Sequence, residues 1–195
     1  MTDLAHPTER PRRADAIRNR QAVLRAAVEV FAAKGLDAGI PEIAARAGVG
    51  KATVYRSFPS KEHLVAAIAA ERLRWIADVA EAALEDLDPG AAFERVVVAI
   101  AERQASDCAV AGSMGADIDL PELETARAQA AAAFDALIAR GRAQGALRAD
   151  ATGEDLRVLF AGAATVLRER EERDPAVWRR FGELIAASLH APRRP

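Results

Sequence analysis

Lys51, Ala52, Thr53, Tyr55, Arg56 and Lys61 lie within a short stretch and carry the chemistry most readily read from this chain. They offer cations, hydroxyls and methyl groups, a set that meets phosphate oxygens and the edges of bases. Val54 and Phe58 are interleaved with them at a spacing of four. On a helix that spacing puts both on one face, so the polar side chains point the other way, toward a charged partner. Bond-making chemistry is not suggested. The chain has no Gly-rich phosphate loop after a strand and no His/Cys cluster with metal-ligand spacing. A Ser-His-Asp set is also missing, since His6 and His190 lie near the termini and His63 beside the polar face. Glu169, Glu171 and Glu172 belong to an Arg/Glu-rich run that suits a solvated helix surface. No catalytic residue, metal or cofactor is expected.

The neighbouring residues say how this polar face would be held. Gly48-Val49-Gly50 makes a turn and Pro59 acts as a stop, which confines a short helix to about residues 51–58. Before the turn, Gly39 at the cap position with Pro41 and Glu42 in the first turn starts a helix over about residues 40–47, with Ile43 and Ala44 inward. An earlier helix runs from about Asp15, its expected cap, to Lys34-Gly35, with Ile17, Leu24, Val28 and Phe31 on one side. Two helices joined by a short glycine-containing turn and braced by a third make a helix-turn-helix module, whose second helix enters the DNA major groove. Lys61 would begin the next helix, where free backbone N–H groups also favour phosphate. Residues 1–14 are read as a flexible arm. Its Arg12 and Arg13 suit either a minor groove or a solubilising tail.

Composition agrees with this placement. The chain has 195 residues, of which 51% are hydrophobic and only 5% aromatic, with frequent alanine runs, so an all-α protein is expected. Its net charge of −2 conceals an asymmetry. Residues 1–61 hold 11 Lys+Arg against 6 Asp+Glu, and the remainder 16 against 23, or +5 followed by −7. A basic head points to a polyanion. The single Cys108 excludes an intramolecular disulfide. With no apolar run long enough to span a bilayer and no apolar leader, the expectation is a cytoplasmic protein without membrane association.

The residues of this head resemble the TetR family of bacterial transcriptional regulators. The resemblance lies in Phe31 to Gly35, Ile43-Ala44 to Ala47-Gly48-Val49, Thr53-Val54-Tyr55 to Phe58, and Lys61-Glu62 to Leu64, and covers about residues 17–66. It implies that Lys51, Ala52, Thr53 and Arg56 approach bases while Tyr55 and Lys61 hold phosphates. Gly39, Gly50 and Ser57 depart from the threonine, serine and histidine frequent in the family. Glycine at a cap in place of serine costs only a few tenths of a kcal/mol.

Downstream, a connector helix is expected over about residues 60–87 and another over about 91–107, broken by Asp88-Pro89-Gly90. Residues 109–124 read as a short helix or irregular link, and a further helix runs from about Pro121 to Gln144. The last two helices, about 152–173 and 175–189, carry apolar stripes. The resemblance implies that this terminal pair forms a four-helix interface with a second copy, making Leu156, Leu159, Phe160, Ala163, Leu167, Val177, Phe181, Leu184 and Ile185 interface candidates. Part of each stripe must also be internal core. Trp75, Phe93, Val97, Ile100, Gln104, Cys108, Met114, Phe134 and Leu137 stand where a small-molecule effector would bind, and each is read first as core and second as a ligand contact. The domains expected are the arm, a helix-turn-helix domain over 15–61, and a helical ligand-binding and dimerisation domain over 62–195. The whole reads as a homodimeric regulator of double-stranded DNA, a repressor by the resemblance. The competing reading is a helical ligand-binding or interaction protein without specific DNA binding.

Overall fold

The computed structural model describes residues 9–106 and 120–192. Helix α1 spans Glu9–Lys34, α2 Ile40–Ala47, α3 Lys51–Ser57 and α4 Lys61–Ala82, with a 3-10 turn at Ala83–Glu85 after it. Then come α5 (Pro89–Ser106), α6 (Pro121–Ala143), α7 (Gly153–Glu169) and α8 (Pro175–Leu189). Among the described residues there is no strand, only an isolated bridge between Leu147 and His190. None of the described helices is long and apolar enough to cross a membrane.

Local signals account for most boundaries. Gly48 takes φ +68° at the end of α2, and the Val49 N–H next to it reaches back to the Ala44 carbonyl at 3.0 Å. That left-handed cap closes the helix with little steric cost for glycine. Ser60 caps α4 by accepting from the His63 N–H, and Thr152 caps α7 in a reciprocal capping box with Asp155. Three helices run differently from expectation. Helix α1 is already helical at Glu9, the first described residue, well ahead of the expected start at Asp15. Asp15 therefore lies inside α1 and pairs with Arg18 instead of capping. Helix α4 gives way to the 3-10 turn before Leu87, and α7 ends at Glu169, where a turn places Glu171 at φ +54°. Cys108 and Met114 lie outside the described residues.

Helix α4 joins two cores. In the head, Val23, Leu24, Ala27 and Phe31 of α1 pack with Ile43 of α2, Val54 and Phe58 at α3, and Leu64 and Ile68 of α4. Ile17 is 54% exposed. It shares the face of Leu24 but stands about 10 Å further along the helix, beyond the elements that close this core. In the body, Ile76, Ala77 and Ala80 of α4 enter a larger core with α5, α6, α7 and α8. Between the two, Ala66, Ala69 and Ala70 meet Leu123 and Ala126 of α6.

Helices α5 and α8 approach closely at Gly182, where an added Cβ would stand 2.8 Å from the Ala101 methyl and 3.1 Å from the Val98 Cα. Backbone at that distance cannot rotate away. Gly182→Val is expected to lower stability by about 1–3 kcal/mol, the usual cost of overpacking. A urea melt would check this against Gly162→Ala, whose added methyl meets nothing within 4 Å in the protomer.

Candidate nucleic-acid interface

Helix α3 is only two turns long, and its placement rests on Val54, Phe58 and their neighbours. Val54 is fully buried and Phe58, just past the last turn, is 1% exposed. Its N–H closes the helix onto the Val54 carbonyl at 2.8 Å, and the next residue, Pro59, cannot continue it. With that face in the core, Lys51, Ala52, Tyr55 and Arg56 are exposed and Thr53 is half-buried. Tyr55 is 50% exposed with its phenol clear of the core. The polar side chains singled out in the sequence thus share one outward surface.

Lys61 borders this surface. It is half-buried, its ammonium 5.8 Å from the centroid of the Phe31 ring, so the core that holds α3 also holds this cation. Its neighbour Glu62 carries a carboxyl held below the usual range, chiefly by a hydrogen bond involving Ser60. An acidic side chain therefore stands beside Lys61 in the first turn of α4.

Exposed ion pairs link the helices around α3. Lys34 at the end of α1 pairs with Glu42 in the first turn of α2, and Arg46 in the last turn of α2 pairs with Glu29 of α1. Both ends of α2 are tied to α1. Arg20 of α1 lies 4.4 Å from the centroid of the Phe58 ring and donates to the Ser57 carbonyl at 3.3 Å. It braces the C-terminal end of α3. Sequence reasoning does not single out Arg20. The only signal for it is a cation on the helix that packs beside an aromatic at the end of α3.

The effector candidates fall in the body. Phe93, Val97, Ile100 and Leu137 are buried members of its core, with Trp75 and Phe134 partly buried against it and Gln104 buried beside it. Two guanidiniums flank Trp75, that of Arg103 at 4.3 Å and that of Arg72 at 5.2 Å from the indole. Arg72 is itself buried and donates to the Ile100 carbonyl at 3.2 Å. Neither arginine stands out in the sequence.

The interface candidates divide. Leu156, Leu167 and Ile185 are buried within the protomer, and Phe160, Ala163, Val177 and Phe181 are partly buried against its cores. Those seven serve internal packing in the protomer. Leu159 and Leu184 are exposed, and beside them stand the exposed Val158 and Val166, the latter an alternative to Leu167 on the sequence stripe. The outward apolar face lies one helix face away from the centre of the stripes.

Comparison with known proteins agrees with this architecture. Residues 23–68 match the model of the bacterial regulatory proteins of the tetR family. A TetR transcription regulatory protein from Mycobacterium vanbaalenii is 37% identical, the match covering 80% of this chain and 96% of that one with a TM-score of 0.61. A TetR transcriptional regulator from Streptomyces coelicolor is 28% identical over 88% of this chain and 98% of that one, with a TM-score of 0.63. The chain belongs to the TetR family of bacterial regulatory proteins. It is also 41% identical over 85 residues to the HTH-type transcriptional repressor LfrR of Mycolicibacterium smegmatis, a match that covers 41% of this chain and 42% of that relative's length.

The tie between α1 and α2 is expected to weaken in acid. The hydrogen bond and charge of Lys34 hold the Glu42 carboxyl below its ordinary value of 4.5. A depressed folded value means that the contribution is present at neutral pH and is lost as pH falls through that value. Melting temperatures of the wild type and Glu42→Gln are expected to differ by a constant amount near neutrality and to converge as the pH drops below 4.5.

Proposed function

We propose that this protein is a sequence-specific DNA-binding regulator that acts as a homodimer on an inverted-repeat operator, and that it represses. The observation that carries the reading is the two-sided α3, with Val54 and Phe58 anchored in the head core and Lys51, Ala52, Tyr55 and Arg56 exposed opposite them. Lys51, Ala52, Thr53 and Arg56 would approach base edges, while Tyr55 and Lys61 contact phosphates. Membership of the TetR family supports DNA as the partner, and the name of LfrR as a transcriptional repressor supports repression. A small dimer bound at a promoter blocks polymerase without further machinery. Its place of action is the cytoplasm.

The second copy is assigned to the exposed apolar face of α7 and α8. Val158, Leu159, Val166 and Leu184 are 55, 39, 46 and 52% exposed, an uncommon grouping of large apolar side chains. Gly162 lies among them with nothing within 4 Å of its Cβ position, which leaves room for a second helix to approach. A twofold pair would set two α3 helices about 34 Å apart, on successive major-groove faces. A small-molecule effector is assigned to the body. Since α4 belongs to both cores, a ligand that prefers one arrangement of the body shifts the population of head positions.

Selection of bound sequences from a random DNA pool tests the reading. Wild type is expected to enrich one inverted repeat, and Tyr55→Ala/Lys61→Ala to bind it far more weakly, with a salt slope reduced by about one for the lost lysine contact. If wild type enriches no sequence, the specific-regulator reading fails and a helical interaction protein takes its place. The dimer has its own check. Val166→Glu is expected to sediment as a monomer with unchanged helicity, and to bind the operator on the order of 100-fold more weakly because bivalent engagement is lost.

A further inference from the structure

Arg20 connects the end of α3 to the body. Besides the Phe58 ring and the Ser57 carbonyl, its Nη2 lies 3.5 Å from Oε1 of Glu122 in the first turn of α6. The same Oε1 lies 3.4 Å from both Nη atoms of Arg74 on α4. One carboxylate of the body is thus shared by two cations, of which one braces the recognition helix and the other belongs to the connector.

The apolar contacts around this point come mostly from small side chains. At this level the α4–α6 seam consists of Ala66, Ala69, Ala70 and Ala126 around Leu123, with Leu73 and Leu120 partly buried against them. Beside it, a cavity of about 150 Å³ lies between Phe58, Pro59 and His63 on the head side and Pro121 on the body side. Alanine methyls and an open space leave part of the head's orientation to be biased by the polar contacts between α1 and α6.

We infer that Glu122 is a positioning residue of the body that sets the orientation of α3 through Arg20, and thereby the separation of the two half-sites that the dimer accepts. The inference rests on the DNA-binding reading and assigns to one side chain what an α4 lever alone would leave to packing. Its consequence is selectivity for spacing. Inserting or deleting one base pair at the operator centre moves the half-sites by about 3.4 Å and turns them relative to each other, a misfit that a held head rejects and a released head tolerates.

The test uses the full-length dimer and the operator selected with wild type, together with derivatives lengthened or shortened by one central base pair. Should wild type select no operator, the DNA-binding reading fails before any variant is compared. Otherwise, Glu122→Gln is expected to lower discrimination between the correct and altered spacings by about two- to fivefold, the range of a partly exposed ion pair. Its urea midpoint should match that of Arg74→Gln, which leaves the Arg20 contact in place and should keep the wild-type spacing preference. Unaltered discrimination in Glu122→Gln would overturn the inference. So would an equal loss in Arg74→Gln, which would transfer the effect to the α4–α6 tie.

Discussion

The architecture of the head depends on the burial of Val54 and Phe58 against Phe31 and Ile43. Helix α3 has seven residues, too few to be stable alone, so its existence and its rotation both come from this contact. Each residue of rotation turns a helix by about 100°. A shift of one position would drive Tyr55 or Thr53 into the core and turn Lys51 and Arg56 away from their shared surface. The polar face is therefore a consequence of the apolar one. The glycine turn before α3 and the proline after Phe58 hold the short helix to the register in which both conditions are met.

Helix α4 carries this arrangement into the rest of the molecule. Its first turns complete the head core, its middle supplies the alanine seam against α6, and its later turns enter the body core. The head is therefore not an independent bead on a linker. It also touches the body through polar contacts from α1, Arg20 to Glu122 and the Ala32 carbonyl accepting from Arg173 at 3.3 Å. A large apolar interface would lock the two parts, whereas small side chains with a few ion pairs leave an orientation that modest energies can change. That balance suits a regulator, whose head must be held firmly enough to select a site and loosely enough to leave it.

Much of the head was legible in the sequence because its signals are local. Gly48 and Gly50 mark the turn, Pro59 marks the stop, and the spacing of Val54 and Phe58 fixes which face is buried. The misplacements share a cause in tertiary packing. Periodicity puts Ile17 on the correct side of α1 but cannot show that the head core ends near Val23. On α7 and α8 the apolar stripes are wide enough to serve both the protomer and an outer face. Periodicity alone then leaves Val166 and Leu167 as alternatives, and favours Leu156 and Ile185, which the fold buries internally, over Val158, which it exposes. Arg20 and Glu122 are far apart in the chain, and no local pattern pairs them. Arg72 looks like one more helical cation until the fold buries it beside Trp75.

The outward face of α3 is proposed as the DNA-reading surface of a twofold dimer. A crystal structure of the full-length protein on its selected operator tests it most directly. Two α3 helices are expected in successive major grooves on one side of the duplex, with Lys51, Ala52, Thr53 and Arg56 at base edges and Tyr55 and Lys61 at the backbone. A complex in which α3 faces solvent, or in which the copies associate away from α7 and α8, would contradict it.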